Sequence, residues 1–154
     1  MEQNVIKKFG YITDQESIKS DSYPYFLLTI DGENKMKPLM VFPLELSAKN
    51  DGVYAIVNCG CGEWGCGGAY VKVKNTPTSV IWENFYPLSY NPETKNKAYY
   101  TEGNILTPVE FDRESYQGAI QNLLKDKDKF ESEKNVYDEE KRSFEKDPIS
   151  LYER

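Results

Sequence analysis

Six large apolar residues fall at seven-residue intervals in the last third of this chain: Tyr116, Leu123, Phe130, Tyr137, Phe144 and Leu151. Strands repeat with a period of two, so this spacing commits the segment to helix. The companions four residues on are Ile120 and then Lys127, Lys134 and Lys141, so only the first two turns have a full apolar face. A coiled coil needs both seam positions apolar over several heptads, and that reading fails here. The spacing predicts one helix packed on the rest of the domain from Tyr116 to Leu124, then a charged helix held by a few aromatic anchors. Asp112 is placed to cap the first helix, with Glu114 in its first turn. Ser132 offers a second cap and a break near it, and Pro148 stops the pattern.

Before Phe111 the pattern is different. Runs of five to eight β-branched and aromatic residues, bounded by turn signals, extend from Tyr25 to Phe85. "YFLLTI" and "MKPLMVFPL" flank Asp31-Gly32-Glu33-Asn34, which predicts a hairpin. "VYAIVN", "AYVKVKN" and "SVIWENF" follow as strands, the second with Tyr70, Lys72 and Lys74 on one face and Val71 and Val73 on the other. The runs from Val5 to Ile12 and from Ile105 to Phe111 add edge strands, the latter interrupted by Pro108 as an edge permits. The expected architecture is α+β, a mainly antiparallel β-sheet with C-terminal α-helices packed on it or extending from it. A single domain over 1–154 is expected, mainly β in 1–111, helical in 112–147 and a tail in 148–154.

At 154 residues the chain can bury about 70% of its unfolded surface, so neither a metal nor a disulfide is required for folding. The region after Met1 lacks a basic end followed by a long apolar run, and "YFLLTI" is too short to span a bilayer, so a soluble cytoplasmic protein without membrane association is expected. In a reducing compartment an odd number of cysteines favours free thiols or metal ligation over a structural disulfide. With 25 acidic against 19 basic residues, the net charge of -6 disfavours nucleic acid, whose phosphates need clustered cations. It favours a basic or neutral protein partner.

All three cysteines and five of the ten glycines lie in "VNCGCGEWGCGGAYVKV", residues 57–73. In an extended segment Cys59 and Cys61 point to one face, and Gly60, Gly62 and Gly65 permit a path that returns Cys66 to them. Three readings fit. In the first, a tight strand connection carries cysteines as small buried hydrophobes. In the second, Cys59, Cys61 and Cys66 hold zinc or copper(I), with Glu63 or water as the fourth ligand because the chain has no histidine. The third is thiol redox chemistry, although the two-residue spacer of the Cys-x-x-Cys motif is absent. Without histidine a serine or cysteine nucleophile lacks its usual base, and no "GxSxG", Walker or dinucleotide motif occurs, so no catalytic residue is assigned.

The succession "CGCGEWGCGG", "VKV", "VIWENF" and "PVEFDRESYQGAIQNLL" resembles a family of small uncharacterised bacterial proteins. These carry a Cys-Gly-Cys-Gly-Glu-x-Gly-Cys segment between two strands, then Trp and Phe in a strand, then a Phe-Asp-Arg-x-x-Tyr helix start. The resemblance covers residues 53–124. It implies a shared framework of Cys59, Cys61, Glu63, Cys66, Trp82, Phe85, Phe111, Asp112 and Arg113, and no established activity.

Twelve tyrosines, several of them in "NFYPLSYNPETKNKAYY", point to protein recognition, because amphipathic rings on a loop anchor a partner. The candidate contact residues are Trp64, Tyr86, Tyr90, Tyr99 and Tyr100; the competing reading makes these rings a cover for the sheet. The functional expectation is a non-catalytic intracellular protein-binding module, of the immunity type that neutralises a basic toxin. The alternative is a metal-binding or thiol-redox protein using the cysteine-glycine turn.

Overall fold

A computed structural model describes residues 5–20, 25–58, 68–87 and 107–146, except for the side chains of 58, 68, 69, 86 and 87. In chain order the elements are β1 (Ile6–Lys7), β2 (Phe9–Thr13), α1 (Gln15–Ser20), β3 (Phe26–Ile30), β4 (Glu33–Pro38), α2 (Val41–Ser47), β5 (Gly52–Asn58), β6 (Gly68–Asn75), β7 (Ser79–Pro87), β8 (Val109–Asp112), α3 (Arg113–Lys127) and α4 (Glu131–Lys146). They form two sheets, one ordered β2-β3-β4 and the other β1-β8-β7-β6-β5. All pairings are antiparallel except β1 with β8. The fold is α+β with C-terminal helices.

Asp31 and Gly32 explain the three-stranded sheet. Both have positive φ, 53° and 80°, and they join Ile30 to its cross-strand partner Glu33. This is the two-residue turn whose twist matches that of a hairpin, and Asp-Gly is among the few pairs that accept it cheaply. Asp31 also fixes where the chain changes sheets. Its carboxylate accepts the Lys8 N–H at 2.7 Å while its own N–H donates to the Lys8 carbonyl at 2.8 Å. That N–H from Lys8 holds the Asp31 carboxyl below its ordinary value, despite slight desolvation. The run from Val5 to Ile12 is therefore two strands in different sheets.

Alternation holds along β6: Val71 and Val73 are buried, whereas Lys72 and Lys74 are exposed. The core lies between the sheets and α3, which packs on β2, β7 and β8. Its centre is aromatic. Phe9 lies 4.8 Å from Tyr116 and 5.7 Å from Phe111, and Trp82 lies 5.0 Å from Phe111, ring centre to ring centre. Tilted and edge-on contacts of this kind add about 0.5–1.5 kcal/mol per pair beyond area burial.

Three local expectations are corrected. "VFPLELS" is the helix α2 and not a continuation of strand: Pro43 sits in its first turn, where no N–H is needed, and Val41, Phe42, Leu44 and Ser47 are all buried. A short run that is apolar on every side carries no period to separate helix from strand. Next, β8 is an inner strand between β1 and β7, because Pro108 precedes the strand and removes no ladder hydrogen bond. Finally, the break between the helices falls at 128–130, and Ser132 lies inside α4 and not at its cap. The Phe130 carbonyl starts that helix by accepting from the Lys134 N–H at 3.0 Å.

Asp112 caps α3, its carboxylate accepting the Ser115 N–H at 2.9 Å. Replacing it with alanine should cost about 1 kcal/mol, within the range of about 0.5–2 for lost caps, and asparagine should recover most of that. Urea unfolding followed by circular dichroism measures this. Equal midpoints for Asp112→Ala and the parent would remove the cap from the account of why α3 starts there.

Candidate functional site

The cysteine segment is bounded by a defined geometry. In the antiparallel β5–β6 pair, Asn58 is the cross-strand partner of Gly68, so 59–67 leaves and re-enters the sheet at neighbouring positions. Cys59, Cys61, Glu63, Trp64 and Cys66 lie outside the described residues, as do Tyr90, Tyr99 and Tyr100. Tyr86 is in β7 with its backbone opposite Tyr70, and its side chain is outside the description. Among the described residues no group of three or more Asp or Glu is placed to hold a metal ion.

The remaining residues of the motif are structural in their contacts. Arg113 ties the start of α3 to the β6–β7 turn, its Nη1 donating to the Thr76 carbonyl at 2.7 Å and its N–H to that of Thr78 at 3.0 Å. Trp82 and Phe111 are core residues, and Phe85 packs against Trp82 with ring centres 5.9 Å apart. The Tyr116 hydroxyl is the polar centre of this core. It accepts from Trp82 Nε1 at 3.2 Å and shares a hydrogen with Ser47 Oγ at 2.6 Å, while Ser47 Oγ lies 2.5 Å from the Leu44 carbonyl. Burial pushes the Tyr116 phenol above its ordinary value, against the smaller opposing effect of these two contacts. The network fastens α2, β7 and α3 together.

No protein-family model, no curated protein and no solved structure matches this chain. The candidate sites therefore rest on its own residues.

One arrangement was missed at the level of sequence. The inner face of α4 carries Glu133, Tyr137, Glu140 and Phe144. Phe42 of α2 meets Tyr137 and Phe144 edge-on, each at 5.5 Å, and Phe130 stacks on Tyr25 at 4.3 Å. The same face carries two carboxyl groups. Glu133 is 1% exposed, and its Oε1 accepts the Tyr25 N–H at 2.6 Å. Glu140 is half-buried, but its Oε2 is sealed from solvent and has no hydrogen-bond partner among the described residues. Burial pushes Glu133 up to about 7, opposed by the Tyr25 N–H. Burial, then the charges of Glu133 and Glu139, push Glu140 up to about 8. The signal was present at the positions three residues after Phe130 and Tyr137, where the seven-residue line places Glu133 and Glu140; the positions four on, Lys134 and Lys141, are exposed.

The other feature is one edge of the five-stranded sheet. β1 ends the five-stranded sheet, and among the described residues it pairs with β8 alone. Val5 is 70% exposed and Ile6 50% exposed. Among the described residues no helix is long and apolar enough to cross a membrane.

Proposed function

We propose that this chain is a non-catalytic protein-binding module of the immunity type, acting inside the cell by docking on a basic toxin. The observation that carries the reading is the β1 edge, where adjacent exposed Val5 and Ile6 lie at a sheet's end strand, which among the described residues pairs with β8 alone. Such an edge accepts an extended segment of another protein, with main-chain hydrogen bonds supplying affinity and the exposed apolar side chains selecting the segment that docks. The net charge of -6 favours a basic partner and speeds its encounter.

Products of the genes flanking this one are the probes. One of them should be toxic when expressed alone and harmless when co-expressed with this chain. Calorimetry should show binding that weakens by about tenfold or more in a Val5→Lys/Ile6→Lys variant of unchanged melting temperature, the loss expected when central apolar contacts are removed. A chain that neither binds nor neutralises any flanking product overturns the proposal.

The pairing of Asn58 with Gly68 favours a second reading, since it draws the ends of the three-cysteine segment together. In that reading Cys59, Cys61 and Cys66 hold zinc or copper(I) as thiolates, with Glu63 or water completing a zinc site. Elemental analysis after purification without chelator tests it. Stoichiometric metal that disappears in both Cys59→Ser and Cys66→Ser supports the metal site, and metal-free protein excludes it.

A further inference from the structure

Helix α4 is held by rings and opposed by carboxyl groups. Phe130, Tyr137 and Phe144 anchor it on Tyr25, Phe26 and Phe42, while Glu133 and Glu140 project from the same face into the interface. An ionised carboxylate there needs a cation or several hydrogen-bond donors, because desolvation penalises its charge. The charged groups of the facing elements are otherwise engaged. On α2, Glu45 Oε1 accepts from the Tyr137 hydroxyl at 2.5 Å, and its Oε2 lies 3.8 Å from Lys49 Nζ. At the end of α3, Lys127 Nζ donates to Asp128 at 2.8 Å and sits 4.2 Å over the Tyr137 ring, while Asp126 takes the Tyr11 hydroxyl at 2.6 Å and Lys129 at 3.1 Å. Among the described residues neither Glu133 nor Glu140 makes an ion pair, and the one donor that reaches them is the Tyr25 N–H on Glu133.

We propose that α4 is a proton-dependent latch, closed when Glu133 and Glu140 are neutral and loosened on their ionisation, which uncovers the aromatic face formed by Tyr25 and Phe42. Released from the interface, each glutamate titrates near its ordinary 4.5; docked, Glu133 titrates near 7 and Glu140 near 8. The closed state therefore binds protons more tightly than the open one. Its advantage is complete below 4.5, falls by up to about tenfold per pH unit for each glutamate as pH rises, and levels off above about 8. Tyr137, Tyr11, Asp126 and Asp128 do not imitate this response. Burial, then Glu45, raises the Tyr137 phenol; burial, then Asp126, raises that of Tyr11; and hydrogen bonds from Tyr11 and Lys127 lower Asp126 and Asp128.

Hydrogen–deuterium exchange on the full chain, corrected for the pH dependence of chemical exchange, tests the latch at about pH 5, near the lower end of the window, and at about pH 8.5, above it. Amide protection across α4 should fall about tenfold or more between the two, with protection of β6 and β7 unchanged. In Glu133→Gln/Glu140→Gln, whose amides keep the size and the acceptor for Tyr25, protection should be the same at both values. Equal protection of the parent at both values overturns the proposal. So does a pH response that persists in the double variant, or a double variant unprotected in α4 at both values.

Discussion

Trp82→Ala should cost about 3–5 kcal/mol, the range for removing a large buried aromatic. The ring is fully buried and stands edge-on to Phe9 at 5.9 Å, Phe85 at 5.9 Å, Phe111 at 5.0 Å and Tyr116 at 6.4 Å. These neighbours come from β2, β7, β8 and α3, so the cavity would open where both sheets and the helix meet. Removing the indole also deprives the buried Tyr116 hydroxyl of its Nε1 donor. Domains are stable by only about 5–15 kcal/mol, so the variant should melt far below the parent or fail to fold at warm temperatures. Trp82→Phe, which keeps the edge-on contacts and loses the N–H, should recover more than half of the loss. Urea midpoints read by circular dichroism decide; a cost below about 1 kcal/mol for the alanine variant would mean that this cluster does not hold the layers together.

Gly10→Ala should also destabilise, by about 1–3 kcal/mol, although in most strands that change is favourable by about 0.5–1 kcal/mol. Gly10 faces its cross-strand partner Thr29, and a methyl group at Gly10 would stand 2.6 Å from Thr29 Oγ1. Thr29 is buried and β-branched, so of the two rotations that turn its hydroxyl away, one brings its methyl group into the same space and the other moves both groups within a buried site. The constraint is thus pairwise. Gly10→Ala/Thr29→Ala should recover at least about 1 kcal/mol relative to the sum of the single changes, the coupling expected of residues in direct contact. A single Gly10→Ala variant as stable as the parent would show that β2 and β3 can separate to admit the methyl group.

The helical end illustrates how far the residues can be read without the fold. Tyr116, Ile120 and Leu123 lie inward in α3 as their spacing predicts, and Lys127 follows them at the next position four on. Its ammonium reaches Asp128 and the Tyr137 ring while its stem is buried. Beyond the break at 128–130 the phase changes: α4 turns inward at Glu133 and Glu140, and Lys134 and Lys141 face solvent. Both choices are charged, so hydropathy alone does not select between them. What selects is the direction in which α4 leaves the turn, set by Phe130 stacking on Tyr25 and the Tyr25 N–H seating Glu133. The partner-binding and metal-ligating residues expected from sequence stand on their spacing alone, since Cys59, Cys61, Cys66, Glu63, Trp64, Tyr90, Tyr99 and Tyr100 lie outside the described residues.

By itself the sequence determined the local states: the hairpin at Asp31-Gly32, the two faces of β6, the capped start of α3 at Asp112 and the helical state of the last segment. These follow from backbone stereochemistry and from hydrophobic periods within one element, which the residues carry wherever they are placed. Only the tertiary structure decided that β1 and β2 belong to different sheets, that β8 is an inner strand, that "VFPLELS" is a buried helix and that two glutamates face the interface. Those outcomes depend on which distant groups arrive as neighbours. Asp31 meets Lys8 across 23 positions and Tyr25 meets Glu133 across 108, and no period within a strand or helix encodes such a meeting.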